Sequence, residues 1–216
     1  MSELIFYTNP QSRGQTIRWM LEEVGAPYQT EILDYGTTMK AEPYLSINPM
    51  GKVPAIKHKG KVVTEVAAIC CYLADAFPET RLAPPLAERA DYYRWIFFTS
   101  GPVEAAFSNK AAGWEPTPER QRMFGYGNYD LAIGTLEKAL AGREYIAADH
   151  FTAADLFVGA NVNFMLAFNL LEPRETFVDY ARRMTDRDAY RRAKDIDAKL
   201  MAELQAPQQS QQSQPA

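Results

Sequence analysis

Asn48-Pro49-Met50-Gly51-Lys52-Val53-Pro54-Ala55-Ile56, with Thr64-Glu65 a short way on, is the stretch that decides the fold. Pro54 interrupts an apolar run, Val53 to Ile56, that otherwise has the composition of a strand. Proline has no N–H to give a sheet and is confined to a strand's edge or first residue. A Val-Pro bond at such a start can be cis. It would turn the Val53 backbone outward and leave its N–H and C=O unpaired by the sheet. An extended peptide could then pair with them as an added strand. The alternative is an edge strand that simply begins with proline.

Downstream, Lys57-His58-Lys59-Gly60-Lys61 reads as a hairpin turn and Val62-Val63 as the returning strand. Thr64-Glu65 opens a helix whose apolar residues Val66, Ile69, Cys70, Leu73 and Phe77 recur at helical spacing, and Pro78 ends it. Upstream, Leu4-Ile5-Phe6-Tyr7 is a short strand and residues 8–11 a loop. Ser12 then precedes a helix carrying Ile17, Met20, Leu21 and Val24. Ser12 and Gln15 have the spacing of a capping box, and Gly25 that of a C-terminal cap. Tyr28, Thr30 and Ile32 alternate as the next strand, so a right-handed crossover is expected. Residues 35–48 read as irregular with one helical turn. The order βαβ–ββα predicts an α/β thioredoxin-like N-terminal domain over residues 1–80.

Pro84-Pro85 marks the boundary, and beyond it every periodic segment is helical. One helix is predicted over 88–108, with Tyr92, Trp95, Ile96 and Thr99. A second covers 119–141, with Leu131, Ile133, Leu136 and Leu140 and Gly142 after it. Thr152-Ala153-Ala154-Asp155 is another capping box. The helix it opens is nearly all apolar and should be buried on every side. Two further helices, 176–185 and 189–204, complete an all-α C-terminal domain over 86–204. Residues 205–216 are low-complexity Gln/Ser, expected to be disordered.

Composition is that of an ordinary globular protein, 47% apolar and 23% charged. With 23 basic against 27 acidic residues it offers nothing to a polyanion, so no nucleic-acid partner is expected. No apolar run approaches the ~20 residues of a membrane span. Met1-Ser2-Glu3 leads into the first strand without the features of a secretory signal, so a cytoplasmic protein is expected. Cys70 and Cys71 are adjacent on a helix. They point about 100° apart, a poor geometry for a disulfide or a metal, and read as reduced cysteines.

The two motifs together resemble the cytosolic, bacterial-type glutathione S-transferases. Their N-terminal half carries N-P-x-G-x-V-P-x-L, a hairpin, and E/Q-S at a helix start. This chain has NPMGKVPAI and TEVAAICCYLADAFP, with Val66 where the serine would stand. Their helical half carries the T-x-x-D cap, here after Tyr145-Ile146-Ala147. The resemblance covers residues 3–204 and implies a homodimer that joins glutathione, as co-substrate, to a small apolar electrophile.

Such chemistry requires the thiol to be held as thiolate. Lowering a thiol pKa of ~8.5 by two units takes about 2.7 kcal/mol. A helix N-terminus supplies unpaired N–H groups and the positive end of a dipole. Three side chains near one compete for this role. Ser12 could donate its hydroxyl hydrogen or merely cap the helix. Tyr7 lies where tyrosine-type classes place a phenol, or is an aromatic at the core's edge. Arg13 could offer charge or be solvated. Counting back from Gly25-Ala26-Pro27 puts the serine of the theta class nearer Gln11 than Ser12. For binding, the resemblance implies Val53, presented by Pro54, for the cysteinyl backbone. Glu65 and the N–H groups of Val66 and Ala67 would take the γ-glutamyl end, and Lys52 the glycyl carboxylate. Trp95, Phe98, Phe107 and Trp114 are candidate walls for the electrophile, or core. Two other readings stay open: a glutathione-dependent peroxidase or disulfide reductase, and a non-catalytic binder of glutathione or an apolar ligand.

Overall fold

The computed structural model describes residues 3–205. β1 (Leu4–Thr8), α1 (Gly14–Val24) and β2 (Gln29–Ile32) form the crossover unit. β2 lies parallel to β1, with Ile5 opposite Gln29. β3 (Ala55–His58) pairs antiparallel with the other side of β1, and β4 (Lys61–Thr64) closes the hairpin. The sheet order is β2-β1-β3-β4. α1 and α2 (Val66–Ala76) pack on the face that carries Leu4, Phe6 and Ile56. The opposite face, with Tyr7 and Ala55, is covered by two single 3₁₀ turns, Thr38–Lys40 and Tyr44–Ser46, through buried Met39 and Tyr44. This half is the expected thioredoxin-like arrangement.

Three local expectations need correction. The Ser12/Gln15 capping box does not form. α1 begins at Gly14, and the Gln15 amide donates to the Pro10 carbonyl at 2.6 Å. The hairpin turn is shorter than residues 57–61, because His58 and Lys61 still pair and only Lys59 and Gly60 turn. The 35–48 segment has two helical turns, not one.

The helical half departs from its periodicity where Pro and Gly intervene. The 88–108 helix is two, α3 (Ala90–Phe98) and α4 (Glu104–Ala111), joined by a wide π-type turn, Thr99–Val103. Pro102 lies inside that turn, and a proline cannot continue an α-helical ladder. α5 (Tyr129–Leu140) starts well after 119. Gly127 takes the left-handed φ of 67°, and Asn128 caps the helix by accepting from the Leu131 N–H at 2.8 Å. Ile133, Leu136 and Leu140 are buried as expected, but Leu131 is 60% exposed and Ala132 takes its place in the core. α6 (Ala153–Ala167), α7 (Glu175–Thr185) and α8 (Asp188–Gln205) complete the chain. Gln205 ends α8, and the rest of the expected Gln/Ser tail lies outside the described residues. No helix of the described residues is long and apolar enough to cross a membrane.

One apolar core runs through both halves. Its polar hub is the start of α6. The Asp155 carboxylate accepts from the Ile146 N–H at 2.7 Å, the Thr152 N–H at 3.0 Å, the Thr152 hydroxyl at 2.9 Å and the Tyr180 hydroxyl at 3.0 Å. Burial pushes this carboxyl up, and those four donors pull the other way. α1 is pinned from the other side. Arg18 Nε meets Asp197 Oδ1 of α8 at 3.1 Å, with both side chains nearly sealed from solvent. Glu23 of α1 takes two bonds from Arg187, at 2.6 and 2.9 Å.

Asp155→Ala strips the partner from four buried donors and should lower unfolding stability by about 3 kcal/mol or more. Thr152→Ala removes one cap and should cost about 1 kcal/mol. Urea titrations of both variants test the ranking, which fails if the threonine matters more.

Candidate functional site

The β3 ladder starts at Ala55, immediately after Pro54. The Val53-Pro54 bond is cis, as is Glu42-Pro43, which the sequence did not suggest. Neither the N–H nor the C=O of Val53 has a partner among the described residues. The loop beneath is braced. The Lys52 carbonyl accepts from the Tyr44 hydroxyl at 2.6 Å and the Asn48 amide at 2.8 Å. Lys40 Nζ donates to the Gly51 carbonyl at 2.5 Å. Gly51 has φ 56°, and a Cβ there would sit 2.8 Å from the Met39 carbonyl.

Val53 lines a cleft of 580 Å³. Its near wall holds Ser12, Arg13, Lys40, Gly51 and Lys52. Its far wall is Ala160 and Phe164 of α6 and Phe168 just past its end, with Tyr190 and Lys194 from α8 and Trp19 from α1. A second cleft, of 730 Å³, holds Glu65, Val66 and Ala67 at the start of α2, facing Tyr93 and Phe97 of α3. Arg13 and Thr16 line both, so the clefts share a wall. The candidate residues therefore fall into two adjoining spaces. Pro54 is buried behind Val53 and lines neither.

The turn before α1 is closely bonded. Ser12 Oγ donates to the Asn9 carbonyl at 2.6 Å and accepts from the Gly14 N–H at 2.9 Å. The N–H groups of Gln11, Ser12, Gln15 and Thr16 are bonded within the same segment. The Arg13 N–H has no partner among the described residues. Gly14 is required by close approach, because a Cβ there would lie 2.0 Å from the buried Thr8 Oγ1.

Arg13 is only partly exposed and is held by several partners. Its guanidinium bonds Asn161 Oδ1 at 3.0 Å, pairs with Glu104 at 3.5 Å and lies 3.8 Å from the Phe164 ring centre. Burial pulls its pKa down, and Glu104 opposes that. It ties the sheet half to α4 and α6. Tyr7 lines neither cleft. Its ring lies against Tyr44 on the opposite face of the sheet, and burial raises its pKa. Cys70 is fully buried and Cys71 partly so; burial raises both thiols, which keeps them protonated.

Glu65 has φ 68°, a left-handed backbone on a residue that is neither Gly nor Asn. Such a conformation costs about 1–3 kcal/mol and tends to mark functional positions. Nothing in the sequence signals it.

The proposed aromatic wall needs correction. Trp95 and Phe107 are buried core, and Trp114 packs on Phe124 well along the chain. None of Trp95, Phe98, Phe107 and Trp114 lines the first cleft. The wall comes from α6, which is buried through its first turns and then opens, leaving Phe168 63% exposed. The four-residue spacings of Phe164 and Phe168, and of Tyr190 and Lys194, were the available signal.

The fold and motif have known counterparts. A family model for the N-terminal domain of glutathione S-transferases matches residues 12–76. Glutathione S-transferase 1 of Schizosaccharomyces pombe is 30% identical over 158 residues, 67% of this chain and 68% of the relative. Protein LigF of a Sphingobium species is 30% identical over 179 residues, 63% of this chain and 66% of the relative. The chain thus spans about two thirds of the length of these relatives. A solved glutathione transferase from Methylococcus capsulatus superposes with a TM-score of 0.74 at 26% identity, covering 90% of this chain and 98% of that one.

Gly14→Ala should destabilise the protein by about 1–3 kcal/mol through overpacking against Thr8. Adding Thr8→Ala should recover part of the loss. A double-mutant cycle by thermal unfolding measures the coupling; strictly additive effects would contradict it.

Proposed function

The chain belongs to the glutathione transferase family, and from that premise we propose that it binds glutathione along the Val53 edge and joins it through its sulfur to a small electrophile in the first cleft. The observation that carries this reading is the unpaired Val53 backbone, set beside the start of α1 and opposite an apolar wall. The donor set fits the ligand. Val53 offers one N–H and one C=O to the cysteinyl backbone. Lys52 meets the glycyl carboxylate. Glu65 accepts from the γ-glutamyl amine, and the first N–H groups of α2, at Val66 and Ala67, receive its carboxylate. Val66 in place of serine withholds one hydroxyl bond and leaves the N–H.

The thiolate belongs at the turn before α1. Ser12 now gives its single hydroxyl hydrogen to Asn9. Rotating it to a sulfur anion gives up a neutral bond worth about 1 kcal/mol for a charge-assisted one worth about 1.5–3 kcal/mol. The open Arg13 N–H adds a second donor. The reaction forms one S–C bond; the leaving group departs with its bonding pair, and the thiol proton goes to solvent. Arg13 itself acts as a strut between the halves. The exposed Tyr93 and Phe97 rings beside the second cleft support a homodimer, and the unpaired cysteines support a reducing, cytoplasmic setting.

The present bond from Ser12 to Asn9 favours a second reading, in which the protein binds glutathione without activating it. The ultraviolet thiolate band of bound glutathione, titrated against pH, separates the two. A bound-thiol pKa lowered by about two units supports transfer; binding with no shift refutes it.

Glu65→Ala should weaken glutathione binding at least tenfold, about 1.4 kcal/mol, by calorimetry. Unchanged affinity would mean the γ-glutamyl end lies elsewhere. Ser12→Ala should raise the bound-thiol pKa by about one unit or more, while Tyr7→Phe should leave it in place. A shift that follows Tyr7 would reverse the assignment. If neither moves it, the backbone N–H groups suffice. Cys70→Ser and Cys71→Ser should each keep turnover within a few-fold, and a hundredfold loss would revive a redox role.

A further inference from the structure

We propose that the second substrate is a planar aromatic electrophile carrying its own fixed anion, a carboxylate or its equivalent, held by Lys194. This deepens the transferase reading above and rests on it.

The charge of the first cleft is one-sided. Arg13, Lys40, Lys52 and Lys194 line it, and no Asp or Glu does. The chain as a whole has the opposite bias, 27 acidic against 23 basic residues. The neighbouring cleft is also different, with Glu65, Asp75 and Glu104 in its walls. Three of the four cations have other duties. Arg13 is paired with Glu104, and Lys40 is spent on the Gly51 and Met50 carbonyls. Lys52 adjoins Val53, where the glycyl carboxylate is placed.

Lys194 is left over. Its Nζ has one neutral neighbour, Gln15 Oε1 at 3.3 Å. The ion pairs of the described residues use arginine or histidine and no lysine. Asp197, one turn further on, is turned to Arg18 and buried. Lys194 joins Arg18 in pulling down the Asp197 carboxyl, so one carboxylate stands against two cations and a net positive charge is left beside the cleft, where apolar walls focus its field onto an anion.

The same wall supplies the ring site. Tyr190 lies one helical turn before Lys194 and meets Trp19 with ring centres 5.0 Å apart. Phe164 and Phe168 lie 4.6 Å apart across the cleft from the Val53 loop. The Arg13 guanidinium already covers the Phe164 ring, so a flat ring lies on the exposed Phe168 and on Tyr190, which puts a ring-borne carboxylate beside α8. With a haloarene, the glutathione sulfur bonds the ring carbon that bears the halogen. The carbon–halogen bond breaks and halide leaves with the pair. The carboxylate takes no part in the bond changes and serves only to orient the ring.

The test is calorimetry with two unreactive probes of one shape, naphthalene-2-carboxylate and naphthalene-2-carboxamide, added to protein saturated with glutathione. At about 20 mM salt the acid should bind at least about tenfold more tightly than the amide, and added salt should shrink the difference. Lys194→Gln should bring the two within about twofold, and Lys194→Arg should keep the preference. Affinity for glutathione should not change in either variant. Equal affinities in the unmodified protein, or a preference that survives Lys194→Gln, would overturn the anion site and leave the transferase reading standing. Absence of glutathione binding with the acid still preferred would do the reverse.

Discussion

Arg18 is the point on which the two halves are hung. It is 1% exposed in the middle of α1. Its guanidinium bonds Asp197 of α8, the Tyr28 hydroxyl at 3.2 Å and the Thr30 hydroxyl at 2.7 Å on β2, and lies over the Phe6 ring of β1. One side chain thus fixes the sheet, α1 and the last helix together. Burying such a pair gains little stability over a well-packed apolar substitute. What it fixes is geometry, because a planar fork accepts few arrangements. Burial still pushes the Asp197 carboxyl up, despite its cationic partner. The position of α8 follows from this contact, and α8 brings Tyr190 and Lys194 to the first cleft.

The route from there to the site is short. The turn before α1 carries Ser12 and Arg13, and β1 places that turn beside the Val53 loop. The Thr8–Gly14 approach leaves no room for a side chain, which forces the tight turn that engages the Ser12 hydroxyl. Arg13, one residue on, reaches across to α4 and α6. Adjacent residues of one turn are therefore held differently: Ser12 is bonded within the turn, and Arg13 is bonded to the helical half.

Much of this was legible from residue order. Pro54 after Val53, Glu65 before an apolar helix, and the Thr152–Asp155 box located both halves, because each is a local backbone device with a residue signature. Helix edges were less legible where Pro102 and Gly127 reset the pattern. The ring wall was not legible. Trp95 and Phe164 look alike in sequence, and which of them meets a cleft depends on how α6 emerges from the core. The commitment of the Ser12 proton to Asn9 and the division of the site by Arg13 are tertiary facts with no local code.

The backbone of Glu65 has a consequence for how this protein can change over time. Glycine would relax the positive φ there, so Glu65→Gly is the rare substitution expected to make the molecule sturdier while stripping its carboxylate. Alanine would lose the acid and keep the strain. The site thus sets durability against use. A lineage that no longer needed a ligand at this corner would have an easy descent to glycine.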